Sequence, residues 1–407
     1  MNTAGKTRLS STCLPGRRMS PSSVPMISAT SQFSGSPENR LRLFAGLVVL
    51  ALGTIMAPVA SAQTVLLRGN NADPNTLDPH RAQSIYEMNI LIDIFLPLTM
   101  YGADGVAVPG AAEEWSISED LRTYTFSLRP GLRWSDEVEL TAYDFEYSFR
   151  RLFDPTTASA IAYIFFVIEN SEQVFRGEKP ADALGVRALD DRTLEISLVE
   201  PAMYLPQLLA HPSAAALPRH VIEEHRRNWT RPGNIVSSGA FVLSEWRTQE
   251  KVVLEKNPYF FNAEQVRLDR VEFLPITDME SALRRFRAGE LDINWGFPPQ
   301  KIEWLRENLP SETHTFPQLS LYYLSLNLKA DVLKDPRVRN ALSMAIDRRL
   351  IGDKFSKLGN PPAYGLVLPG TRNYGEVAKP EWSSWPMEKR RAHARDLLVE
   401  AGYGPDS

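Results

Sequence analysis

The stretch that decides the fold reads Tyr124-Thr125-Phe126-Ser127-Leu128-Arg129, then Trp134-Ser135-Asp136, then Leu140-Thr141-Ala142-Tyr143-Asp144-Phe145. In its first part Tyr124, Phe126 and Leu128 share one face of an extended chain. Thr123, Thr125 and Ser127 share the other, the pattern of a half-buried antiparallel strand. In its last part Thr141 with Asp144 resembles a capping box, and Phe145, Phe149 and Leu152 follow on one helical face. A strand handing over to an amphipathic helix within so short a span predicts a mixed α/β protein.

The pattern repeats outward. Leu194, Ile196 and Leu198 alternate with Thr193, Glu195 and Ser197, and Lys251 to Glu255 and Val271 to Leu274 add further strands. Thr277 and Glu280 are expected to cap a helix carrying Leu283 and Phe286, which Gly289 should stop. Asp335-Pro336 supplies an N-cap and a proline at the first helical position, ahead of Val338, Leu342 and Ala345. Strands and helices interleave without the regular beat of a barrel, and no internal repeat is visible.

Near the start, the apolar run Leu43 to Leu52 follows Arg40 and Arg42 and leads into Ala57-Pro58-Val59-Ala60-Ser61-Ala62. That reads as a signal peptide over residues 39–62 with a small-residue cleavage site, a transmembrane anchor being the weaker alternative for so short a run, so the mature protein is expected to begin near Gln63 in the periplasm. Residues 1–38 are rich in Ser, Pro and Thr and read as a disordered leader or a misassigned start. They hold Cys13, the sole cysteine, so the mature chain is expected to lack thiols, disulfides and Cys-metal sites. Gln63 offers no lipid acceptor.

Composition excludes other classes. The formal net charge is -4, with no basic stripe to hold a phosphate backbone, so nucleic acid is not an expected partner. The six histidines do not form a metal-ligand spacing, and no nucleophile elbow, phosphate loop or dinucleotide glycine pattern occurs. The pairs Glu113-Glu114, Glu119-Asp120, Asp190-Asp191 and Glu223-Glu224 read as exposed turn or helix faces. Asn228-Trp229-Thr230 matches a glycosylation acceptor. No catalytic residue, metal or cofactor is expected. Trp295, which ends the strand Leu291 to Asn294 beside Gly296-Phe297-Pro298-Pro299, is placed either to line a cleft or to pack a loop.

Together with Ala111-Ala112-Glu113-Glu114-Trp115, the opening stretch resembles the signature of family 5 extracellular solute-binding proteins, the oligopeptide-, dipeptide- and nickel-binding receptors of ABC importers. Leu77-Asp78-Pro79-His80, Gly239-Ala240-Phe241, Lys256-Asn257-Pro258 and Ala288-Gly289-Glu290-Leu291-Asp292 extend the match in order. The resemblance implies a type II periplasmic binding protein fold with an extra domain. Domain I would take residues 63–95 and 219–320, domain II 96–218, and domain III 321–407. It further implies a monomer that grips an extended oligopeptide by its backbone and delivers it to permease subunits at the membrane.

Carried over by position, Gln83, Ser84 and Ile85 would pair with the peptide backbone. Gln83 stands where the oligopeptide receptors have glutamate, and Ile161 where they have a pocket tyrosine. Trp295, Gly296 and Phe297 align with a cleft loop, and Tyr323 with a tyrosine near the hinge. Glu137 replaces a glycine, so a different backbone geometry is expected there. After Gly402-Tyr403-Gly404 the family continues with the rest of domain III, so an incomplete third domain with weak or absent binding is expected. Two alternatives stay open: the same fold carrying a nickel complex, haem or another solute, and a paralogue with a structural or chaperone-like role that binds none.

Overall fold

A computed structural model of the chain describes residues 63–316, 318–371 and 374–404. The chain divides into Met1–Ala62 and Gln63–Ser407. The expected leader and signal peptide lie outside the described residues.

Two sheets form the larger part. The first has the order β11-β1-β10-β9-β8, built from β1 (Val65–Gly69), β8 (Phe241–Arg247), β9 (Lys251–Lys256), β10 (Arg270–Leu274) and β11 (Ile293–Asn294). β1 runs parallel to β10 and β11, with Val65 opposite Arg270 and Arg68 opposite Ile293, while β10, β9 and β8 are antiparallel. The second is fully antiparallel, β4-β5-β7-β6, from β4 (Ala112–Ile117), β5 (Thr123–Leu128), β6 (Val186–Ala188) and β7 (Thr193–Ser197). β2 (Thr99–Tyr101) and β3 (Ala107–Pro109) make a small separate ribbon.

Five longer helices complete the frame: α1 (Ile85–Ile94), α2 (Ala142–Phe153), α3 (Met279–Arg287), α4 (Pro336–Ala345) and α5 (Met387–Glu400). α2 begins with the expected box, the Asp144 carboxylate accepting from the Thr141 amide at 2.8 Å. Its Phe145, Phe149 and Leu152 are buried over β6 and β7. Each such side chain contributes about 1.5–3 kcal/mol by leaving water. Tyr124, Phe126 and Leu128 of β5 are buried as the alternation requires. One continuous apolar core runs from Leu77 to Phe273 through both sheets.

Two expectations need correction here. Asp278, not Thr277, caps α3, accepting from the Ser281 amide at 2.8 Å, because its carboxylate sits at the helix start and takes an orphan first-turn amide. On α4 the buried face is Val338, Ala341 and Met344 rather than Val338, Leu342 and Ala345. The helix turns that face to α5, where Ala394 packs with Ala341 and Met344.

The turn Trp134 to Glu137 also differs from expectation. Glu137 adopts φ +72° and closes the turn by donating its amide to the Trp134 carbonyl at 3.0 Å. It therefore keeps the left-handed conformation that suits glycine instead of adopting another. The neighbouring contacts hold it there: the Ser135 amide donates to the Ser237 carbonyl, the Ser237 amide to Ser135 Oγ, and Asp136 meets His220 Nε2 at 2.8 Å. The paired acids are all exposed: Glu119-Asp120 and Asp190-Asp191 lie in turns and Glu223-Glu224 on a short helix as expected, whereas Glu113-Glu114 sits at the bulge of strand β4 rather than in a turn or helix. The expected strand before Trp295 shrinks to Ile293–Asn294.

Candidate ligand-binding site

The first expected contact segment opens α1. Ser84-Ile85-Tyr86-Glu87 is a capping box, but Glu87 does more than a box needs. Its buried carboxylate accepts from the Gln83 amide at 2.7 Å and the Ser84 amide at 2.8 Å through Oε2, and from the Asn75 amide at 3.1 Å through Oε1. Ser84 itself is extended, with φ -109° and ψ 155°. In an extended residue the N–H and C=O point to one side, and the preceding C=O and following N–H point to the other. The inward pair of Ser84 is spent, its amide on Glu87 and its carbonyl on the Met88 amide at 3.1 Å. The Gln83 carbonyl and the Ile85 amide, on the opposite side, have no hydrogen-bond partner among the described residues.

The second segment joins it through two asparagines that the sequence reading missed. Asn70 and Asn71 follow β1 directly. Asn70 Nδ2 donates to the Tyr86 carbonyl at 3.0 Å, and Asn89 Nδ2 donates to Asn70 Oδ1 at 3.0 Å. Asn71 packs on the other segment: a Cβ placed on Gly296 would lie 3.3 Å from Asn71 Nδ2. Asn294 Nδ2 donates to the Gly296 carbonyl in a very short contact. So the start of α1 and the Trp295-Gly296-Phe297 loop both flank the end of β1. Consecutive asparagines after a strand were the available signal.

The remaining candidates stand apart. Ile161 is half-buried and packs against the main core, although Arg81 Nε reaches the nearby Thr157 carbonyl at 3.3 Å. Trp295 is half-exposed and Phe297 half-buried. Tyr323 is exposed, and no described hydrogen bond or ring contact joins it to the other candidates. The structure thus brings together Gln83, Ser84, Ile85, Gly296 and their neighbours, and leaves Ile161 and Tyr323 outside that group.

Charge near the site is arranged by burial. Asp93, one helical turn after Asn89, is lifted to about 6 by desolvation, with the Arg68 guanidinium opposing the rise. A buried network braces the connector that leads to Ser84. Arg151 donates to both Asp78 carboxylate oxygens, at 3.0 and 2.5 Å, and to His80 Nδ1 at 2.8 Å. Burial holds His80 near 3, assisted by the Arg151 charge, and holds His211 near 4. His80 Nε2 lies 3.3 Å from Ser148 Oγ, which resembles a base and nucleophile. Both groups are buried, and the Ser148 hydroxyl donates to the Ala215 carbonyl at 2.6 Å, so the contact serves structure.

A family model, bacterial extracellular solute-binding proteins, family 5 Middle, matches residues 106–407. The chain belongs to family 5. A relative within the family, the periplasmic oligopeptide-binding protein OppA of Escherichia coli (strain K12), is 39 % identical over 367 residues, covering 89 % of this chain and 67 % of that protein. The probable deoxycholate-binding periplasmic protein YgiS of the same organism is 38 % identical over 343 residues, or 84 % of this chain and 64 % of the relative. Among solved structures, the Haemophilus influenzae OppA complex with the peptide RPPGFSPFR superposes with a TM-score of 0.79 at 32 % identity, covering 84 % of this chain and 68 % of that one. The chain therefore spans about two thirds of the length of the family members it matches. Its mixed α/β architecture is the type II periplasmic binding protein fold. Family members are solute-binding receptors.

Proposed function

We propose that this protein is the peptide-capturing receptor of an ABC importer, and that it works in the periplasm after cleavage near Ala62. The observation that carries the reading is the outward pair at Ser84. The free Gln83 carbonyl and Ile85 amide match the donor and acceptor of one residue in an added strand. Backbone pairing of this kind binds peptides without regard to side chains, which suits a nutrient receptor. Gln83 carries no charge, so this position offers a peptide hydrogen bonding alone. Trp295 and Phe297, across the end of β1, supply apolar surface for a neighbouring peptide side chain. Ile161 and Tyr323 would line more distant parts of the same cleft.

In this reading domain I is formed by residues 63–95 and 219–320, domain II by 96–218, and domain III begins at Leu321. The receptor acts as a monomer, makes and breaks no bond, and hands its cargo to permease subunits. Binding shifts the population toward a closed form. Isothermal titration of the exported protein with tri- to pentapeptides should give saturable heat, and a Kd of about 1 μM or tighter would set aside the expectation of weak or absent binding drawn from the third domain. Deoxycholate and a nickel complex are the competing ligands. Saturation by either of those, with no response to peptides, would overturn the peptide reading.

A further inference from the structure

Building on the peptide reading, we infer that Glu87 is a positioning residue for capture: it sets which backbone groups of the Gln83–Ile85 segment face the ligand. A capping box requires the glutamate to accept only from the N-cap amide. Here the carboxylate also takes the Gln83 and Asn75 amides, so one buried group gathers three donors from two ends of a loop. The consequence follows from strand geometry. With the Ser84 amide pinned inward and φ, ψ extended, the Gln83 carbonyl and Ile85 amide must point the other way.

The far flank is pinned as well, since Asn70 holds the Tyr86 carbonyl. The segment can then offer a strand one register only, centred on Ser84. Glu87 is 2 % exposed and separated from any ligand by the backbone it holds, so it acts through that backbone. Replacing its carboxylate with an amide puts an N–H among three N–H donors. Either the Asn75 amide or the Gln83 and Ser84 amides must then turn away from the side chain, which loosens the hold that fixes the register.

The test compares peptides with single amide-to-ester replacements, which delete one N–H donor at a time. In the wild type, one ester position should weaken binding about fivefold to tenfold, the usual weight of a hydrogen bond. In Glu87→Gln overall affinity should fall by a similar or larger factor. The ester penalty at that position should shrink below about twofold, because no fixed carbonyl remains to reward the donor. Glu87→Asp should recover part of both.

An unchanged ester penalty in a folded Glu87→Gln protein would overturn the inference while leaving the peptide reading intact. Absence of any peptide binding by the wild type would overturn both. Amide hydrogen exchange on the wild type covers the case in which the variant does not fold. The Gln83 and Ser84 amides should be slow without peptide, and the Ile85 amide should slow only when peptide is added. Fast exchange at Gln83 and Ser84, or no change at Ile85 with peptide bound, refutes the assignment.

Discussion

Between Thr123 and Leu128 the alternating apolar side chains are covered, whereas between Leu319 and Leu328 they stand bare. Tyr124 and Phe126 are 0 % exposed, but Tyr322 is 94 % and Leu324 67 % exposed. The two stretches carry nearly the same pattern. They differ in their partners: β5 lies between β4 and β7, while residues 318–327 have no regular secondary structure. A strand's apolar face is stabilising only when neighbouring strands and a second layer take it out of water.

The same contrast holds for whole regions. Residues 66–273 share one large core, whereas among the described residues after 330 the separate cluster holds only Ala341, Met344 and Ala394, with Trp382, Leu397 and Leu398 against them. Arginine-aromatic contacts supplement that small core, Arg348 lying 5.2 Å from the Tyr364 ring and 5.6 Å from Trp382. Folding stability should therefore reside in the double-sheet part.

The sharpest way to break this comparison is a pair of core deletions. Phe149→Ala should cost about 3–5 kcal/mol and lower the urea midpoint of the whole double-sheet region. Met344→Ala should cost about 2 kcal/mol and loosen hydrogen exchange only around α4 and α5. Equal global effects from the two would show that the regions unfold as one.

Acid should attack the large core first. His80 and His211 are buried neutral, with folded pKa values near 3 and 4 against an ordinary 6.5. Groups depressed in this way contribute stability that is intact above pH 6.5 and is lost as pH falls. Each should remove about 2 kcal/mol between pH 6.5 and 5. Chemical denaturation at a series of pH values checks this, and a flat profile over that window would contradict the buried neutral assignment.

Asp93 has the opposite sign. Its pKa is raised to about 6 from 3.8, so its contribution is present below pH 3.8 and disappears as pH rises through 6. Asp93→Asn should therefore stabilise the protein at pH 7.5, by at most about 3 kcal/mol, and bring no gain at pH 4. A gain of equal size at both pH values would point to packing in place of charge.

The smallest effect is expected at Glu137. Glu137→Gly relieves a left-handed residue worth about 1 kcal/mol but loosens the unfolded chain by a similar amount, so the melting temperature should move by no more than a few degrees. A large drop would mean that the Glu137 side chain, which meets Tyr259, holds the turn.

Local elements were legible because their determinants are local. β5, β7 and β10 follow from period-two alternation, β9 from its short apolar run Val252-Val253-Leu254, and α2 from its Thr141–Asp144 box, each at or within a residue of the expected span. The departures came where a residue's neighbours in space decide. Asp278 outcompeted Thr277 for a cap, and α4 turned Ala341 and Met344 inward because α5 packs there. Glu137 kept a glycine-like backbone because Ser237 and His220 hold the turn on either side. At the candidate site, Ser84 was expected from position, whereas Asn70, Asn71 and the three amides gathered by Glu87 were not foreseen. Their partners lie on segments distant in the chain.

By itself, then, the order of residues determined the α/β class, most strands and helix starts, and membership of a receptor family. Periodicity and capping act over a few residues, and those can be read along one dimension. Only the tertiary structure decided which alternating stretch is covered, which histidines are held neutral, and which backbone groups beside Ser84 find no partner among the described residues. Burial and hydrogen-bond satisfaction depend on what arrives from elsewhere in the chain, and Glu87 shows it. Its glutamate is visible at once, yet the direction in which Gln83 and Ile85 face is set by the loop that closes around it.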